Sequence, residues 1–505
     1  MRTHSILTPW RQIRTAALLL TAAPMTLLLG AGPALAGHRP AKVETPAVPL
    51  PAAYVGASQA AALPAVALDQ WWRLFKDPAL DALEDEAFRT ASDARTAAAR
   101  ILEARATRAA QTAKTLPTGS ISGAASHQKA YELGGRGDNL NPISGVTDNA
   151  GGNFNISWEL DLFGRLAVAR RVADADAAEA RFNVEGTRAS LAAAVADAYF
   201  QTRGFEIRLA DARETVRIED DLLTVARRKA AAGAAPEDEI DRVAGQKARA
   251  AAQAADFASQ LSGTRRQLLI LVGRDLRDTD KLAPAAAPPE TPPTPEALPS
   301  ELLIRRPDIR EADFRLRAEL GAARLARLAI FPTVTLLPGL GLSSTGAPGV
   351  SYIPPSTLVT ARQVSTTGFW NLAAGITAPT LDIPKLLYQA RAEDARARQA
   401  AVAYERTVRN AFGEAQNALI SLEAGEQATA ILADGETRAR RAYDASRRRY
   451  AQGMDDLTAT LSAEQSWRAI RSDLTAERVD TLRRAVSAYK ALGGGWASTG
   501  SAGTL

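Results

Sequence analysis

Of the side chains that carry most protein chemistry, only the carboxylates are present here in quantity. The 505 residues include no cysteine and three histidines, of which His4 and His38 lie near the N-terminus and His127 stands alone. Thiol chemistry, disulfides, Cys or His metal sites, lipid attachment to an N-terminal cysteine and a Ser-His-Asp triad are all excluded. No catalytic residue, cofactor or metal is therefore expected. The acids that stand out are Asp455-Asp456, just after Gly453, and Asp238, just after Gly233, with Glu159 and Asp161 in an alternating segment. Acids in such places can select ions by sign when several copies converge, or offset the dipole at a helix start; both readings stay open.

The elements that would position these acids begin with "GGNFNISWELDLFGRL", residues 151–166. Phe154, Ile156, Trp158, Leu160 and Leu162 share one parity, and Asn153, Asn155, Ser157, Glu159 and Asp161 the other. This is a strand with one apolar and one polar face. Similar segments are read at 118–127, 333–343 and 368–378, the last with Trp370 and Leu372 on its apolar parity. About ten residues suits a tilted membrane strand, and Trp158, Phe163, Phe369 and Trp370 near strand ends suit an interfacial girdle.

Long helices follow the strands. Residues 165–232 and 385–452 contain no proline, and at 1.5 Å per residue each would reach roughly 100 Å, the scale of coiled-coil staves. The first helix of each half opens with a capping signal, Asp77-Pro78 or Arg306-Pro307-Asp308, and is expected to stop at Pro117 or Pro332.

These elements occur twice. A shift of 220 aligns Leu166 with Leu386, Thr187 with Thr407, Gly233 with Gly453 and Gly273 with Gly493; upstream of the strands the shift is 215, placing Leu116-Pro117 on Phe331-Pro332. The expected layout is an export signal at 1–36, a Pro-rich segment at 37–70, a first repeat at 71–283, a Pro-rich linker at 284–299, a second repeat at 300–492 and a Gly-rich tail at 493–505. The signal reading rests on Arg2, Arg11 and Arg14 before the apolar run 16–29 and on Ala34-Leu35-Ala36; removing it lowers the formal charge from +5 to +2 (5 − 3). No later stretch is apolar enough for a membrane helix, so any crossing must use strands. Acids are interspersed among the basic residues, so no nucleic-acid partner is implied.

Four strands cannot close a barrel, and unpaired edges are not tolerated in lipid. Three copies give twelve strands, with Phe154, Ile156, Trp158, Leu160, Trp370 and Leu372 toward lipid and Asn153, Asn155, Ser157, Glu159 and Asp161 toward water. The expected fold class is mixed: a long α-helical coiled-coil barrel joined to a β-barrel, with four membrane strands per chain, two tandem repeats and a trimer. Two weaker signals carry little. Arg136-Gly137-Asp138 sits in a Gly- and Asn-rich loop, and the glycines of "GLGLSSTG" precede prolines rather than a phosphate-binding helix.

The segments "SWELDLFGRL", "LPSELLIRRPDI", "FPTVTL", "RRRYAQGMDDL" and "YKALGGGW", in that order, resemble the TolC-like outer membrane efflux proteins over about Trp71 to Trp496. The resemblance implies a homotrimer in the outer membrane bilayer, a periplasmic helical barrel, and a periplasmic adaptor and inner membrane pump as partners. It further implies that the turns near Gly233 and Gly453 are periplasmic tips, offering Lys229, Gly233, Arg449, Tyr450 and Gly453 to the adaptor, with Asp455, Asp456 and Asp238 at the gate. For each of these side chains a plain helix-capping role is the competing reading. Many members of this branch carry an N-terminal lipid-modified cysteine, which this chain lacks. A duct for type I protein secretion and a pore-free envelope scaffold are the alternatives, and the alternating strands count against the scaffold.

Overall fold

The alternation at 151–162 becomes part of the second strand of a four-stranded antiparallel sheet of order β1-β2-β3-β4. The strands are β1 (Thr118–Lys129), β2 (Val146–Leu160), β3 (Thr333–Ile353) and β4 (Thr357–Thr377). The chain, a computed structural model, is described over residues 46–51, 54, 68–129, 146–233, 236–275, 290–293, 299–353, 357–452 and 454–495. The export signal and the Arg136-Gly137-Asp138 loop lie outside these residues.

β3 and β4 run 21 residues each, about twice the expected length. Their pairing extends from Thr333↔Thr377 to Ile353↔Thr357, whereas β2 leaves β3 at Asp148↔Gly346. Past that point β3 has no second partner among the described residues, so Pro348, which reads as loop, is compatible with strand because no ladder donor is required of it on that side. Between β2 and β3 the register skips Leu337 and Pro338, because proline has no N–H to donate.

Register sorts the side chains. Ile121, Phe154, Leu340 and Trp370 form one cross-strand row, and Leu160, Val334 and Ile376 another on the same face. The opposite face carries Ser120, Asn155, Gly339 and Asn371 in one row and Ser122, Asn153, Gly341 and Phe369 in the next. Three expectations are corrected. Trp370 lies well inside its strand because β4 starts eleven residues earlier than the sequence pattern suggests; Phe369 falls on the polar face, one residue out of phase with Trp370; and Leu162 lies beyond the end of β2. Phe163, also past β2, stacks on Phe331 at 5.0 Å.

The helices are α1 (Pro78–Thr90), α2 (Ser92–Ala113), α3 (Arg165–Ala231), α4 (Asp238–Val272), a single turn α5 (Leu302–Arg305), α6 (Pro307–Leu328), α7 (Ile383–Ala451) and α8 (Leu457–Ala491). Asp77 caps α1, accepting from Ala79 N at 3.0 Å and Leu80 N at 3.4 Å. The sequence predicts one helix from there to Pro117, but Ala91 is extended (φ −57°, ψ 140°) and splits it in two. Thr90 Oγ1, at the break, donates to the Val272 carbonyl at 2.6 Å. α2 and α6 each end four residues before their proline. With 67 and 69 residues, α3 and α7 are each about 100 Å long.

The internal repeat is present in three dimensions. Gly273 and Gly493 close α4 and α8 at φ +79° and +80°, and a side chain on either would collide with the opposing backbone. A Cβ would lie 2.7 Å from Thr90 O in the first case and 3.0 Å from Arg305 C in the second. Thr90 and Arg305 are themselves 215 apart (305 − 90).

The main core gathers where the short helices meet the long ones, around Trp71, Phe75, Leu80, Phe200, Leu302, Ile309, Leu422 and Tyr489. Trp71 stacks on Tyr489 at 5.8 Å. The Pro-rich N-terminal segment, expected as a bare connector, contributes to it: Val48 and Leu50 pack against the cluster and Tyr54 is buried on Phe412 at 5.5 Å. Apolar residues between the prolines find a hydrophobic surface, and segments already stiffened by proline lose less entropy on docking.

Candidate functional sites: sheet faces and helical tips

The polar face of the sheet is made mainly of small and amide side chains, with Glu159, Leu337 and Phe369 among them. Asn153, Asn155 and Ser157 lie on it as the alternation requires, opposite Ser122, Ser120 and Thr118 of β1. Glu159, also on this face, is held by Arg165, whose Nε donates to Oε1 at 3.0 Å. Asp161 departs from expectation. β2 ends at Leu160, and the Asp161 carboxylate accepts from Leu166 N at 2.9 Å and Ala167 N at 2.8 Å, so it satisfies the open amides at the start of α3 instead of extending the strand. On the other face are Phe154, Ile156, Trp158, Leu160, Trp370 and Leu372, with Trp370 81% and Leu372 69% exposed. Toward the far end of that face the apolar rows give way to charge: His127 Nδ1 and Asp148 Oδ1 are 2.6 Å apart, and Arg362 contacts the same carboxylate.

At the opposite end of the long helices two turns reverse the chain. Gly233 takes φ +68°, and its N–H donates to Ala230 O at 2.9 Å, the left-handed closure that glycine accepts without penalty. Gly453 lies outside the described residues, but Met454 N donates to Arg449 O at 2.9 Å across that position. The two turns are tied together. Tyr450 of α7 is buried with Leu223, Ala226, Val243, Leu457 and Leu461. Lys229 Nζ of α3 sits 3.7 Å from its ring centroid, and its hydroxyl donates to Glu239 Oε1 of α4 at 3.4 Å.

The three acids expected there divide by role. Asp455 accepts from Arg449 Nε at 2.9 Å and from Ser446 Oγ at 3.2 Å. Asp456 caps α8 through Ala459 N at 2.7 Å. Asp238 is exposed and paired with Arg242 at 3.0 Å, while Arg242 Nη1 reaches across to Thr458 Oγ1 of α8 at 2.8 Å. Asp456 therefore has the capping role, while Asp455 and Asp238 are each paired with an arginine, Asp238 being the more open of those two.

Sequence reasoning missed a buried acid pair above the tips. Glu219 of α3 and Glu464 of α8 are 4% and 1% exposed, and Arg468 Nε donates to Glu464 Oε1 at 2.7 Å. Burial, reinforced by the Glu464 charge and opposed by Arg468, pushes the Glu219 carboxyl up to about 7. Arg468 also contacts Thr215 of α3. Glu219 and Glu464 are 245 residues apart (464 − 219) rather than 220, so the repeat offset does not reveal the pair.

The comparisons with known proteins agree with this geometry. The outer membrane efflux protein family profile matches residues 84–274 and 298–494. The pyoverdine export outer membrane protein OpmQ of Pseudomonas putida is 27% identical over 443 residues, covering 87% of this chain and 90% of its own length. The toluene efflux pump outer membrane protein TtgC of the same species is 26% identical over 449 residues, covering 85% and 86%. The solved outer-membrane channel OprN superposes with a TM-score of 0.75 at 25% identity, over 89% of this chain and 98% of that one. Membrane-type strands, stave-length helices and a twofold internal repeat thus accompany a family match over both halves, and the chain belongs to the outer membrane efflux protein family, as an outer membrane channel of the efflux type whose long helices form a periplasmic barrel.

Proposed function

We propose that three copies of this chain close into one duct, the exit channel of a tripartite pump that passes small toxic molecules from an inner membrane pump and a periplasmic adaptor to the outside. The observation that carries it is the sheet itself. Four strands with one apolar and one polar face leave β1 and β4 as edges, and a closed ring of three sheets satisfies both edges in lipid by pairing β1 of one copy with β4 of the next. Phe154, Ile156, Trp158, Leu160, Trp370 and Leu372 then face the bilayer, and Asn153, Asn155, Ser157 and Glu159 the water-filled lumen. The tips around Lys229, Gly233, Arg449 and Tyr450 serve the adaptor, and Asp455, Asp456 and Asp238 lie at the constricted end, where three-fold repetition of a carboxylate favours cations once its arginine partner, Arg449 for Asp455 and Arg242 for Asp238, is drawn away. Pyoverdine and toluene export by the relatives OpmQ and TtgC fits small organic cargo.

The test is the mass of the detergent-purified protein together with its conductance in planar bilayers. A trimer giving a small, cation-selective conductance is the expected outcome. A monomer or a coiled-coil assembly without conductance would remove the duct reading.

A further inference from the structure

The polar face of the sheet holds one aromatic side chain among its described residues, and it is seated with care. Phe369 of β4 shares its row with Gly341 of β3 and Asn153 of β2. A Cβ built on Gly341 would lie 2.6 Å from Phe369 Cζ and 2.5 Å from Asn153 Oδ1, so ring and amide both lie across a bare stretch of β3. One row along, a Cβ on Gly339 would lie 2.5 Å from Asn371 Oδ1 and 3.2 Å from Asn155 Oδ1. The two glycines form a floor, and over it sit a phenyl ring 46% exposed and three amides, Asn153, Asn155 and Asn371. An aromatic ring left half open on a wall of mainly small and polar side chains, where Leu337 is the other large exposed apolar residue among those described, loses apolar burial that the lipid face would have supplied. Stacking on a planar solute would recover it, and the amides can pair with that solute's polar edge.

We propose that Phe369, with Asn153, Asn155 and Asn371, is a binding subsite for planar aromatic solutes in transit through the β-barrel. This rests on the duct reading above, with the polar face inward. Twelve strands spaced about 4.8 Å apart and tilted about 40° enclose a backbone radius of roughly 12 Å. A ring lying along the wall therefore leaves the passage open, and the subsite delays an aromatic cargo molecule without blocking ions. Three such platforms, one per copy, share one level of the lumen.

The absence of cysteine makes the test direct. Thr367 lies on the same face of β4, two residues from Phe369, and a Thr367→Cys protein is modified with a charged, water-soluble thiosulfonate in the presence of N-ethylquinolinium or of a tetraalkylammonium of similar size. Modification of the trimeric fraction is expected to slow with the quinolinium and not with the tetraalkylammonium. Adding Phe369→Leu is expected to raise the half-protecting quinolinium concentration about five-fold, the scale of one aromatic contact, and adding Phe369→Trp to lower it. A half-protecting concentration unchanged by both substitutions, or equal protection by both cations, would overturn the subsite while leaving the duct intact. A Thr367→Cys site closed to the reagent, with Leu342→Cys on the opposite face open to it, would show the faces reversed, and the subsite would fall together with the duct reading.

Discussion

The two ends of the molecule are built on opposite plans. On its polar face, away from the helix junction at Glu159, the sheet presents Asn153, Asn155, Ser157, the glycines Gly339 and Gly341 and the ring of Phe369, and among the described residues the strands are joined there by the ladder and by threonine hydroxyls at its base, Thr118 to the Ser157 carbonyl and Thr333 to the Thr377 carbonyl, with no ion pair between them. At the helical tips nearly every candidate side chain is committed: Tyr450 to Lys229 and Glu239, Arg449 to Asp455, Asp456 to the α8 amides, and Arg242 to both Asp238 and Thr458. A wall without latches suits steady passage. A tip held by several weak, separable contacts suits a closed state that can be opened in parts, since each half-exposed pair contributes only on the order of 1 kcal/mol.

The largest expected effect that sharpens this contrast comes from Tyr450→Ala. It removes the buried ring joining both hairpins, at a cost of about 3 kcal/mol, and is expected to raise single-channel conductance several-fold; Asn153→Ala, in the wall, should change it little. Equal effects from both would erase the distinction between wall and latch.

Next is pH. Because the Glu219 carboxyl is raised to about 7, its folded form holds a proton that the unfolded chain releases near the ordinary carboxylate range. The stabilisation is fully present below about 4.5 and is lost as pH rises through about 7. Glu219→Gln is expected to flatten the fall in melting temperature between those values and to exceed the natural protein in stability above pH 7, as thermal unfolding across pH would reveal. Parallel curves for the two proteins would count against a buried, protonated Glu219.

Arg449→Ala and Asp455→Ala should each raise conductance modestly, and the double substitution should do no more than Asp455→Ala alone, because both remove the Arg449–Asp455 contact and Asp455→Ala loses the Ser446 bond besides. Strict additivity in bilayer recordings would mean that the pair is not a latch.

The smallest effect separates the two readings of Asp456. Asp456→Ala loses a cap worth about 1 kcal/mol, while Asp456→Asn keeps a good cap and removes the charge. Unchanged cation selectivity in Asp456→Asn is expected if capping is its whole role, and a loss of selectivity would assign the charge to the gate.

How much of this was legible in the sequence differs between the same two ends. Phe154, Ile156 and Trp158 announced their face because strand parity is strict, and the repeat announced α3 and α7 because a shared offset survives an Ala-rich composition. The upper half of the β3–β4 hairpin stayed hidden, since Ser, Thr, Gly and Pro read as loop when propensity is all there is, whereas direct pairing satisfies the backbone whatever the side chains. Phe369 reads as a girdle residue because the sequence pattern puts it with Trp370 near a strand end, although neighbours on a strand must face opposite ways. At the tips, Asp455 and Asp456 were visible as acids, but which one would meet Arg449 and which the α8 amides depends on a turn geometry that the letters do not encode. Tyr450, Lys229 and Glu239 come from three different helices, and Glu219 and Glu464 from outside the repeat's own offset. Nothing local signals such meetings.

The central claim, a trimeric duct with its polar face inward, is tested most directly by recording single channels of Asn155→Cys and Ile156→Cys while adding a charged, water-soluble thiosulfonate. These neighbours lie on opposite faces of β2, and the natural chain offers no competing thiol. The expected record is up to three discrete downward current steps for Asn155→Cys and none for Ile156→Cys. Steps with Ile156→Cys and silence with Asn155→Cys would contradict it.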